Sequence, residues 1–102
     1  MTIGEVIEMH HIIAWALECE QVPQEHLFTR RKYHKLAVAR RRIVSVARCE
    51  TGLSYPALGR ALELDHSACV RLDRHLERNG ADDRIWLDEY KTWKENHNAK
   101  LD

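Results

Sequence analysis

Asp65, His66 and Ser67 stand together at the head of an amphipathic stretch. Arg71, Arg74 and Arg78 follow Ser67 at i+4, i+7 and i+11, which places all four on one face of a helix. A carboxylate, an imidazole, a hydroxyl and guanidinium forks are the groups that pair with base edges in a major groove, and the leading end of a helix is the part that reaches them. A solvated polar face on a structural helix would show the same pattern. The second cluster is cationic. Between Thr29 and Arg48 there are eight Lys or Arg (Arg30, Arg31, Lys32, Lys35, Arg40, Arg41, Arg42 and Arg48) and no Asp or Glu. So many like charges repel one another, and a phosphate backbone relieves that repulsion. Pairing with an acidic N-terminal helix is the bland alternative, whereas an arginine-rich flexible loop beside a reading helix suits a minor groove.

These residues need elements to position them, and the spacing predicts an all-α chain of about six helices. Thr2 and Glu5 form a capping box that opens a helix to about Glu20, with Ile3, Ile7, Ala14 and Leu17 as its apolar row and Val6 and Ile13 beside it. Pro23 starts a short helix through Leu27 and Phe28, and Thr29–Lys35 reads as a loop. A long helix is expected from about Leu36 to Thr51, with Leu36, Val38 or Ala39, Ile43, Val46 and Ala47 inward and Gly52 as its left-handed stop. Ser54 caps the next helix, with Pro56 in its first turn and an end near Leu62. Asp65 caps the one after, which reaches Arg78 before Asn79-Gly80 and turns Cys69, Leu72 and Leu76 inward. The pair spans about 54–78. Leu58, Leu62, Leu64, Cys69 and Leu72, with the small Gly59, fill the wedge of a helix-turn-helix. Trp86, Tyr90 and Trp93 at i, i+4 and i+7 mark an amphipathic C-terminal helix at about 82–97.

The same residues resemble the C-terminal DNA-binding domain, domain IV, of the bacterial replication initiator DnaA. That family has a leucine pair, a basic S-K-R-R loop, a V-A-R-P-R entry to the long helix, S-L-P-E-I-G, and a D-H-T-T start to the recognition helix. The corresponding stretches are Leu27-Phe28, Thr29-Arg30-Arg31-Lys32, Leu36-Ala37-Val38-Ala39-Arg40, Ser54-Tyr55-Pro56-Ala57-Leu58-Gly59 and Asp65-His66-Ser67-Ala68. Order and spacing hold from about Ile3 to Arg78, with one residue missing before Asp65. The resemblance implies a Trp-repressor-like helical fold in which Asp65, His66 and Ser67 contact bases, Lys32 takes the place of a minor-groove arginine and Arg40 meets a phosphate. With Arg71 the base-reading set is complete, and Arg30, Arg31, Lys32, Lys35, Arg40, Arg41, Ser54 and Arg74 form the minor-groove and phosphate set. Leu64, Ala68, Ala39 and Lys32 depart from the family pattern. A lost hydroxyl and a lost guanidinium fork alter which base edges are satisfied, so the family's target sequence does not transfer.

Composition bounds the rest. The chain has 102 residues, with 16 Lys or Arg balancing 16 Asp or Glu. The balance hides a polarised arrangement: residues 1–29 carry −5, residues 30–78 carry +7 and residues 79–102 carry −2. One DNA-binding domain over 1–102, cytoplasmic and without a membrane span, is the expectation. Cys19, Cys49 and Cys69 have no C-x-x-C pairing and the seven histidines are scattered, so neither a disulfide framework nor a metal is expected. No phosphate loop of the G-x-x-x-x-G-K-S/T type is present, and no nucleophile and base stand at a recognisable spacing. The chain reads as a non-enzymatic, cofactor-free binder of double-stranded DNA with no small-molecule substrate. It would act in replication initiation or its control, carried by a phage or mobile element, or as a transcriptional regulator. A module that docks a protein through the acidic N-terminal helix or Trp86 and Trp93, without binding DNA, is the alternative from a different class.

Overall fold

A computed structural model describes residues 2–29, 31–64, 67–72 and 82–101, and every ordered element among them is helical. The elements are α1 (Ile3–Glu20), α2 (Gln24–Leu27), α3 (His34–Glu50), α4 (Tyr55–Leu62), a helical segment α5 over residues 67–72, and α6 (Asp82–Leu101).

The capping box opens α1 as expected. Thr2 Oγ1 accepts from the Glu5 amide and Glu5 Oε1 accepts from the Thr2 amide, both at 3.1 Å. The helix closes on Gln21, a non-glycine residue at φ 56°, whose N–H reaches the Glu18 carbonyl while the Val22 N–H reaches that of Leu17. That pairing is a Schellman stop, and Leu17 and Val22 are both buried beside it. The apolar row differs from the expectation. Of Ile3, Ile7, Ala14 and Leu17, only Leu17 is buried, and Ile3 is 80% exposed. Met9, Ile12, Trp15 and Ala16 enter the core instead. Helix α1 is apolar on two sides, so periodicity could not choose between them. Its neighbours decide: α1 packs along both α3 and α6, and Trp15 meets the edge of Tyr90 at 5.6 Å between ring centroids.

Helix α3 is the axis of the fold, in contact with α1, α2 and α6. Leu36, Ala39 and the whole run Ile43 to Ala47 are buried, so that run of the helix is enclosed on every side. It begins at His34 rather than Leu36, which places Lys35 on the helix and not in the preceding loop. After Thr51 the chain turns at Gly52, whose φ of +66° is the left-handed stop. Ser54 Oγ then accepts from the Ala57 amide and opens α4. The break after α4 is another left-handed cap, Glu63 at φ 54°, with the Leu64 N–H on the Gly59 carbonyl at 2.8 Å. Leu58, Gly59 and Leu62 of α4 and Cys69 of α5 are buried in one core, with Leu64 and Leu72 packed against it. The expected Asp65 cap, the reach to Arg78 with Leu76 inward, and the Asn79-Gly80 stop lie outside the described residues.

Helix α6 runs to Leu101, past the expected 97, and seats Tyr90 fully buried with Trp86 and Trp93 partly buried against the core. The Tyr90 hydroxyl donates to Glu8 Oε1 at 2.8 Å, and Lys94 Nζ pairs with Glu8 Oε2 at 2.7 Å. Burial pushes the Glu8 carboxyl up, but bonds from Lys94 and Tyr90 outweigh it and hold the group below the ordinary carboxylate range. Burial, then the bond to Glu8, pushes the Tyr90 phenol up.

A depressed folded value means that Glu8 stabilises the fold above its unfolded pKa and ceases to as pH falls through the folded one. Glu8→Gln should cost about 1–2 kcal/mol at pH 7 in urea unfolding, and the variant should lose less than the wild type between pH 5 and pH 3. Equal losses on acidification would show that Glu8 is not the linked group. Gly59→Leu should overfill the α4 contact and cost about 1–3 kcal/mol; an unchanged melting temperature would show the site has room.

Candidate nucleic-acid interface

The stretch between α2 and α3 is tied down by a single side chain. Arg40 Nη2 donates to the carbonyls of Leu27 and Thr29, each at 2.9 Å, and Nη1 donates to that of Arg31 at 3.2 Å. Thr29 adds two local bonds, donating its hydroxyl to the His26 carbonyl at 2.7 Å and accepting from the Arg31 amide at 3.3 Å. Tyr33 closes the far side, its hydroxyl 2.8 Å from His26 Nδ1. The carbonyls of Leu27, Thr29 and Arg31 are thus met by one guanidinium from the following helix. Burial lowers the Arg40 pKa, and the nearby Tyr33 partly opposes this.

Folding the loop over α3 builds a cleft of about 320 Å³ lined by Lys32, Ala37, Arg40, Arg41, Leu64, Ala68, Arg71 and Leu72. Four cations from the loop, α3 and α5 thus line it with the apolar Ala37, Leu64, Ala68 and Leu72, and no carboxylate among the described residues does. Arg41 Nε, like Arg40 Nε, is buried with no hydrogen-bond partner among the described residues. A second cleft adjoins, sharing Lys32, Arg40 and Leu64 and adding Phe28, Thr29 and Glu63.

The remaining expected residues are distributed as follows. Ser67 and Arg71 are exposed on α5, and Arg31, Lys32 and Lys35 are exposed around the start of α3. Ser54 is exposed, but its oxygen already accepts the Ala57 amide. Asp65, His66, Arg30 and Arg74 lie outside the described residues. Arg42 and Arg48 turn away to structural duties. Arg42 pairs with Glu20 and Glu89 at 2.9 Å each and lies over the rings of Trp15 and Trp86. Burial tends to lower its pKa, but the two carboxylates prevail and raise it. Arg48 donates to the Leu53 carbonyl and sits over Tyr55. Among the described residues, Arg42 pairs with the acidic first helix, through Glu20.

No family model matches this chain, and neither curated proteins nor solved structures give a match. The geometry has to stand alone. Among the described residues, no three His, Cys, Asp or Glu side chains gather as a metal site, and no helix is long and apolar enough to cross a membrane. Cys69 is a buried thiol whose pKa burial raises, while Cys19 and Cys49 are exposed.

Two features escaped the sequence reading. Phe28, paired by motif with Leu27, is 44% exposed at the second cleft, whereas Leu27 is fully buried. Only the short length of α2 hinted that both could not face inward. The carbonyl-binding role of Arg40 carries no local signal, because its partners lie 9 to 13 residues earlier.

Arg40→Lys keeps the charge and removes the fork. It should destabilise the fold by about 1–3 kcal/mol at low and high salt alike, read from urea midpoints. A wild-type midpoint would mean that the three carbonyl bonds carry no net stability.

Proposed function

We propose that this chain binds double-stranded DNA in a sequence-specific manner, in the mode that its resemblance to DnaA domain IV implies. The observation that supports this reading most is the convergence of Lys32, Arg41 and Arg71, from three separate elements, on one cleft that no carboxylate lines among the described residues. Cations gathered this way repel, and a duplex backbone is the partner that satisfies several at once. The second helix of the helix-turn-helix borders that cleft through Ala68, Arg71 and Leu72. With the cleft against one backbone, the leading end of this helix enters the major groove, where Asp65, His66 and Ser67 read base edges and Arg71 reaches a guanine or a phosphate. Lys32 and Arg31 lie against the adjacent backbone and minor groove. The role proposed for such a reader is to mark a replication origin or regulate its use.

A salt titration of DNA affinity tests the electrostatic half. Lys32→Ala, Arg41→Ala and Arg71→Ala should each weaken binding to every sequence and reduce the salt slope by about 0.9 per lost phosphate contact. Unchanged slopes in all three would remove DNA from the cleft. Selection from a random DNA pool tests the reading half. His66→Ala should relax preference at a few adjacent positions, with discrimination falling by about 1–3 kcal/mol, while non-specific affinity barely moves. Identical selected motifs from wild type and His66→Ala would show that this histidine does not read bases.

A further inference from the structure

Away from the cationic cleft, a groove of about 640 Å³ runs between α1 and α6, lined by Trp15, Cys19, Ile85, Asp88, Glu89 and Trp93 among others. Its α6 wall extends from Ile85 to Asn96, which is about 16 Å or three helical turns. Ile85 is 52% exposed and lines the groove. Asp88 and Glu89 are exposed beside it, and Glu18, across on α1, accepts from Trp93 Nε1 at 3.0 Å. No lysine or arginine lines the groove among the described residues. The fold already shows what this chemistry holds. Trp15 and Glu89, both lining residues, receive the guanidinium of Arg42, which lies 5.3 Å from the indole centroid and 2.9 Å from the carboxylate.

We infer that the α1–α6 groove is a docking surface for a cationic amphipathic helix of a partner protein, whose apolar side chains cover Ile85 and Cys19 while its Lys or Arg residues face Asp88, Glu89 and Glu18. Length and charge both favour this occupant. A helix lies along a three-turn groove with side chains at i, i+3, i+4 and i+7 over the wall. Carboxylates on a rim around indole and isoleucine attract cations and reject acidic helices by like-charge cost. The surface is independent of the DNA-binding reading, since it shares no residue with the cationic cleft.

The test titrates the full chain with a synthetic Lys/Leu amphipathic helix of about 18 residues. A Glu/Leu helix of the same pattern and a scrambled Lys/Leu peptide of the same composition serve as controls. Amide chemical shifts and indole fluorescence provide the readout. The Lys/Leu helix should bind and shift the amides of residues 15–19 and 85–96. The two control peptides should bind about tenfold more weakly or not at all. Asp88→Lys and Ile85→Ser alter exposed side chains, so neither disturbs the core, and each should weaken binding by about tenfold. Arg41→Ala and Arg71→Ala should leave it unchanged. Equal binding of the scrambled peptide, shifts outside the groove, or indifference to both groove substitutions would overturn the inference. So would sedimentation showing that a second copy of the chain fills the groove.

Discussion

Helix α3 has to serve as the core and carry the charge, and the rest of the structure follows from reconciling the two. Its run from Ile43 to Ala47 is enclosed on all sides, yet Arg40, Arg41, Arg42 and Arg48 flank that run. A guanidinium cannot be taken out of water without partners. Three of the four are met in different ways: Arg40 by loop carbonyls, Arg42 by two carboxylates between two indoles, and Arg48 by the Leu53 carbonyl and the Tyr55 ring. Each solution fixes a neighbouring element on α3. Arg40 places the loop, Arg42 ties α1 to α6, and Arg48 sets the approach to α4. Arg41 lines the cleft beside Arg40, and the Nε of each is buried with no hydrogen-bond partner among the described residues.

Local chemistry made much of this fold legible. The capping box at Thr2 and Glu5, the Ser54 cap with Pro56, the Gly52 turn and the Tyr90 stripe all act over a few residues, and each formed as its spacing required. The readings that failed depended on tertiary context. Helix α1 offers two apolar rows, and only the arrival of α6 at Trp15 and Tyr90 selects between them. The hydrogen bonds that the basic loop makes to Arg40 had no local signal, because the side chain comes from the following helix. In the candidate site, the cations were visible from composition, while their convergence with Ala37, Leu64, Ala68 and Leu72 was not. Apolar residues at an interface look like core residues until the surface is drawn.

Charge is divided along the molecule as well as along the chain. The cationic cleft is built from the loop, α3 and α5, and the carboxylate-rimmed groove from α1 and α6. The two surfaces are thus lined by charges of opposite sign. A neutral protein with charge divided in this way has a weak net field at long range, and clefts lined by one sign focus it at short range.

The Arg40 clamp has a consequence for the cost of association. A loose basic arm would have to be immobilised by whatever it grips, at about 1–2 kcal/mol of backbone entropy for every residue fixed. Here that ordering is completed during folding, with the Leu27, Thr29 and Arg31 carbonyls already held. A ligand entering the cleft meets a surface whose shape is set beforehand, so more of its contact energy remains as affinity. The same rigidity narrows the choice of ligands. On the proposed DNA-binding reading, a duplex whose groove width does not match this arrangement would itself have to deform to bind.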